Sequence, residues 1–157
     1  MQTRILACVL ALNQSLILGA SAQEGPSWKL YTMAKSGASI EIPVSLFSEP
    51  AGSPADEIGH RYYTHDHRAD LTVRQIPNPR NDTPAAFLSS MRPPSGIVYK
   101  RVTSRFFVVS SFRNGKIWYD RCNRSTGYMN CVLINYPASE KRQWDDIVTR
   151  ISNSLRP

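Results

Sequence analysis

No catalytic signature is written into this chain. It has no G-x-S-x-G elbow and no Gly-rich phosphate loop, which removes serine hydrolysis and P-loop chemistry. Histidine is scarce, with only His60, His65 and His67, and so is cysteine, with only Cys8, Cys122 and Cys131. The two late thiols are widely spaced and have no further ligands beside them, which argues against a structural zinc site. No internal repeat or low-complexity tract is visible, so a solenoid or a disordered tail is not indicated. No apolar run reaches the roughly 20 residues of a membrane-spanning helix.

What is present begins with an export pattern. Residues 1–22 carry Arg4, apolar runs at 5–12 and 16–18 broken by Asn13-Gln14-Ser15, and a closing Ala20-Ser21-Ala22. That order reads as a secretory signal with its cleavage site. Cys8 has no small-residue box before it, so lipidation is not expected. Residues 23–157 are then one α+β domain, periplasmic or secreted. Loss of Cys8 leaves Cys122 and Cys131, an even pair in an oxidising compartment, and a disulfide between them is expected.

The net charge is +7, lowered by one when Arg4 is removed, and arginine outnumbers lysine. A basic balance permits attraction to anionic partners. The charges are spread, with no run longer than Lys100-Arg101 or Lys141-Arg142, so a solvated basic surface is the simpler account. The expected partner is an unknown protein or an anionic ligand, and nucleic acid is not favoured.

Asn114-Gly115 between two apolar runs sets a hairpin, because both central positions of a type I′ loop need positive φ. Counting outward puts Arg113 opposite Lys116, Phe112 opposite Ile117, Ser111 opposite Trp118 and Phe107 opposite Cys122. Side chains alternate, so Phe106, Val108, Phe112, Ile117 and Tyr119 share one face and Phe107, Val109, Trp118 and Cys122 the other. Both faces are apolar, as they are in 128–136, and cover on both sides is expected. Cys122 and Cys131 would lie across from each other. A helix follows, with Trp144, Ile147, Val148, Ile151 and Leu155 in one stripe and Ser139 as the expected N-cap.

Upstream, Ile40, Ile42, Val44 and Leu46 alternate with polar residues, and Pro43 suggests an edge strand. Residues 28–31 read as a short strand or a tethered arm, and 48–59 have loop composition. Residues 60–64 and 69–76 form a second hairpin turning near Asp66-His67. It is apolar on one face only, which places it nearer the sheet margin. Thr83-Pro84 opens a short helix.

His60, His65, His67 and Asp66 are the candidate ligand or metal site, since two imidazoles and a carboxylate can hold zinc or copper. The bland account is a turn with solvated imidazoles. A secreted basic nuclease would need a base, an acid and a cation, roles that Glu41, His60, His65 and Arg105 could fill. No cofactor is indicated. Trp118 reads as core, while Tyr62 and Tyr63 are freer to form a surface.

The stretch from Phe107 to Cys122, with Glu140 to Val148 and the ending Ser154-Leu155-Arg156-Pro157, resembles small exported proteins of alphaproteobacteria. The order of elements in the mature chain is similar to the PsbP/Mog1-like α/β/α sandwich: strand pairs, a short helix, a three-stranded meander and a terminal helix. That resemblance implies an antiparallel sheet covered by helices on both faces. It also implies a non-catalytic binding or assembly role, as in accessory subunits, small-GTPase partners and envelope lipoproteins. It carries no set of site residues over to this chain. The expected function is an exported non-catalytic binding or envelope accessory domain, with a secreted nuclease or a histidine-based metal protein as alternatives.

Overall fold

Asn114 and Gly115, at φ 51° and 74°, close the hairpin between β7 (Phe106–Arg113) and β8 (Lys116–Ser125). Its register is the one counted from the turn, with Arg113 opposite Lys116 and Phe107 opposite Cys122. The computed structural model describes residues 25–53, 58–91, 93 and 96–157, and the leader expected at 1–22 lies outside them. β8 turns at Gly127 into β9 (Tyr128–Pro137), where Cys122 faces Cys131 and the two form a disulfide.

β9 lies in the middle of a seven-stranded antiparallel sheet. Beside the meander stand β3 (Glu49–Pro50), β4 (Ile58–Tyr63), β5 (Asp70–Pro77) and β6 (Tyr99–Val102), in the order β3-β4-β5-β9-β8-β7-β6. β5 pairs directly with β9, so the second hairpin reaches as far inward as β7–β8 and does not keep to the margin. β3 falls inside a stretch whose composition reads as loop. The strand holding Pro43 is an edge strand, as its proline suggests, but of a separate two-stranded ribbon, in which β2 (Ser39–Pro43) pairs with β1 (Trp28–Thr32).

One face of the sheet is covered by that ribbon and by α2 (Lys141–Ser154). Trp144, Val148, Ile151 and Leu155 pack with Ile40, Ile42, Phe47, Leu71, Ile117, Val132 and Ile134. Burying each of these apolar side chains contributes about 1.5–3 kcal/mol before chain entropy is set against it. Trp144 stacks on Tyr136 at 5.4 Å between ring centroids. Ser139 does not cap α2. The chain enters through a short 3-10 turn, Ala138–Glu140, and the Lys141 N–H donates to the Ala138 carbonyl within that turn.

On the opposite face α1 (Pro84–Ser90) starts as its sequence suggests, with Pro84 in the first turn and the Thr83 Oγ1 accepting from the Ala86 N–H at 3.3 Å. It buries Phe87 and Leu88 among Phe107, Val109, Trp118, Met129 and both cysteines, and it packs chiefly on β7 and β8. Toward β5 this face turns polar, and Thr72, Arg74 and Asn135 line a cleft of about 410 Å³. Among the described residues no helix is long and apolar enough to cross a membrane.

Gly59 pairs with Arg74, and a Cβ added there would lie 2.2 Å from the Val73 carbonyl oxygen and 2.9 Å from the Arg74 Cα. Those are backbone atoms of the paired strand, which move only if β4 and β5 part. Gly59→Ala is expected to cost about 1–3 kcal/mol in urea unfolding; an unchanged midpoint would contradict the close pairing.

Candidate anion-binding site

The three histidines stand on β4 and on the turn after it, each in its own surroundings. The His60 ring packs edge-on against Tyr31 at 5.5 Å, and His67, at φ 56°, stacks on Tyr63 at 4.9 Å. His65 is exposed, with Nδ1 3.4 Å from Glu49 Oε1. Asp66 is engaged in the turn: its carboxylate accepts from Thr64 Oγ1 at 2.7 Å and from Arg68 Nε at 2.6 Å. The Thr64 hydrogen bond, followed by those from Arg68, holds the Asp66 carboxyl well below the usual carboxylate range. Among the described residues, no three histidine, cysteine, aspartate or glutamate side chains are grouped to hold a metal ion.

His65 and Asp66 do line one cleft, of about 480 Å³, floored by Leu46, Trp144 and Ile147. Arg68 closes its rim by bonding both Asp66 and Glu140, and Trp144 Nε1 donates to Glu140 Oε2 at 3.2 Å. The residues cast for phosphodiester cleavage are not gathered. Glu41 is paired with Arg150 at 2.9 Å, and Arg105 lies in a different cleft from His65.

The cleft around Arg105 is built by register. Arg101 on β6 and Arg121 on β8 both pair with Val108 on β7, so all three project from the same face. One position along that row, Phe106 pairs with Asn123. The Arg121 and Arg101 guanidinium carbons stand 4.5 and 5.4 Å from the Phe106 ring centroid. Arg105 and Arg124 are tied by a 2.7 Å backbone hydrogen bond, and Arg156 is fixed by a two-way backbone bridge to Ser39. Arg105, Arg121, Arg124 and Arg156 line a cleft of about 310 Å³, with Phe106 and Pro157 supplying its apolar surface.

What holds these guanidiniums is neutral. Arg121 Nε donates to Asn123 Oδ1 at 3.0 Å and Nη1 to Ser152 Oγ at 3.2 Å, while buried Asn123 donates to the Leu155 carbonyl. Arg124 donates to the side-chain and backbone oxygens of Asn81 at 3.1 and 2.7 Å, and Arg156 to the Asn153 carbonyl. Elsewhere Arg61, Arg68, Arg80 and Arg150 each meet a carboxylate, while the exposed Arg113 and Arg142 stand singly, away from the cleft and without an ion pair among the described residues. Among the described residues, none of the arginines around Phe106 forms a salt bridge. Amides and hydroxyls orient them without cancelling their charge, and a guanidinium has five donors, so several remain open. Burial, followed by the charges of Arg156 and Arg101, pulls the Arg121 pKa below its ordinary value, against the pull of Tyr119. An arriving anion relieves that repulsion. The lining described has no imidazole and no carboxylate side chain, so it can hold an anion but offers no general base.

No protein-family model matches the chain, and no curated protein matches it. Solved structures do. Cyanobacterial PsbP (CyanoP) from Synechocystis sp. PCC 6803 is 9% identical, with a TM-score of 0.61, covering 88% of this chain and 98% of its own. The Saccharomyces cerevisiae Ran-binding protein Mog1p is also 9% identical, with a TM-score of 0.53, covering 84% of this chain and 96% of its own. The chain therefore has a PsbP/Mog1-like fold.

Proposed function

We propose that this is an exported, non-catalytic binding or accessory domain of the α/β/α sandwich type that engages an anionic group of its partner at the arginine cleft around Phe106. The observation that carries the reading is the contrast between arginines paired to carboxylates elsewhere and the uncompensated cluster of Arg101, Arg105, Arg121, Arg124 and Arg156. A fold shared with a protein that binds Ran supports a binding role, and the disulfide is compatible with export. A nuclease or a histidine-based metal site is less well supported, because the residues either would need stand apart.

Retention on a sulfonate resin tests this. The variant Arg105→Gln/Arg156→Gln is expected to elute at clearly lower salt than Arg113→Gln/Arg142→Gln, which loses the same charge from exposed positions outside the cleft. Equal elution of the two pairs would mean that basicity alone, and not this site, attracts anions.

A further inference from the structure

We propose that the arginine cleft selects a doubly charged phosphomonoester over a singly charged anion. This rests on the reading that the cleft binds anions, and goes on to name which kind. Arg105, Arg121, Arg124 and Arg156 line one cleft and reach it from three separate segments: the β6–β7 loop, β8, which carries both Arg121 and Arg124, and the end of the α2 segment. A carboxylate has two oxygens and one charge, and is satisfied by one guanidinium fork. A phosphomonoester has three free oxygens and about two negative charges above its second ionisation near pH 6, and can occupy several forks together.

Three of the four donors are held in advance. Arg121 is held through Asn123 and Ser152, Arg124 through Asn81, and the Arg156 backbone through Ser39, so little ordering is required when the anion arrives. The cleft is larger than one phosphoryl group needs. Phe106 and Pro157 therefore stand where the organic part of an ester would lie, and an ester fits the site better than the free ion. A lipid headgroup and a soluble ester share this chemistry.

The test compares phenyl phosphate with phenyl sulfate by calorimetry at equal ionic strength near neutral pH, using the folded, oxidised protein. The two probes share the ring and differ in charge. Phenyl phosphate is expected to bind about tenfold or more tightly, to lose that advantage as pH falls below about 6, and to weaken about tenfold in Arg105→Gln/Arg156→Gln but not in Arg113→Gln/Arg142→Gln. Arg105→Gln alone, a change in an exposed loop, gives the same direction if the double variant is poorly folded. Vesicles carrying phosphatidic acid, a monoester, against phosphatidylglycerol, a diester, identify the source. Preference for phosphatidic acid points to a headgroup, and phenyl phosphate binding without vesicle binding points to a soluble ester. Equal affinity for the two phenyl probes overturns the inference while leaving anion binding in place. No cleft-dependent binding of either probe, together with unchanged resin retention, removes both.

Discussion

Replacing Cys122 and Cys131 together by alanine is expected to lower the unfolding free energy by about 3 kcal/mol, a shift of roughly 10 °C in melting temperature for a domain of this size. The bond joins residues only nine apart in sequence, so the unfolded chain gains a modest freedom on its loss. The pair also stands across β8 and β9, one of the two central ladders of the sheet, and both side chains are fully buried beside Phe107, Trp118 and Met129. Alanine at both sites leaves a void in the smaller of the two cores, which adds to the loss. Urea unfolding of the double variant beside the oxidised wild type measures it. A difference below about 1 kcal/mol would place the meander's stability in its strand pairing and packing alone.

The second large effect depends on pH. Asp120 projects from β8 on the same face as Trp118, in a cleft of about 430 Å³ with Lys116, Leu133 and Asn135. Burial pushes its pKa from the ordinary 3.8 up to about 6, against the opposing attraction of Arg74. Between those two values the folded protein retains a proton that the unfolded chain has released. Stability therefore falls as pH rises from about 4 to about 6 and is level above that, the total reaching up to about 3 kcal/mol. Asp120→Asn is expected to remove this slope and to be more stable than wild type near neutral pH, with little difference near pH 4. Asp66 acts in the opposite direction and lower in the scale, since its depressed pKa favours the folded state until acid protonates it. Taking wild type minus variant cancels that contribution. A difference that does not change with pH would mean Asp120 titrates as it would in water.

Much of the fold is legible because local chemistry and tertiary demand agree. Asn114-Gly115 sets the hairpin register, the apolar alternation of 106–136 sets its faces, and the Trp144 to Leu155 stripe sets the helix. The hairpin at 58–77 misleads for a physical reason. β5 lies inside the sheet, yet the side bearing Thr72 and Arg74 faces a polar cleft away from the β7 and β8 strands that α1 packs on, so its pattern resembles that of an edge strand. The pattern records cover, not position. β3 has two residues, too few to show any period.

The arginine cleft is harder to see. Its members are scattered from Arg101 to Arg156, and only strand register and the Ser39–Arg156 bridge bring them together. One trace of it is in the sequence. Arg121 and Asn123 continue the face begun by Ile117 and Tyr119, so an apolar strand face turns polar just where the β7 register sets it against Val108 and Phe106. The histidines draw attention by their chemistry, but each is explained by a ring or carboxylate beside it.

The most direct test follows the arginine Nε–H resonances while phenyl phosphate is added to the protein. The account predicts that Arg105, Arg121, Arg124 and Arg156 shift together and saturate, while Arg68, Arg80 and Arg150, already held by carboxylates, stay in place. Shifts spread evenly over all arginines, or confined to those outside the cleft, would contradict it.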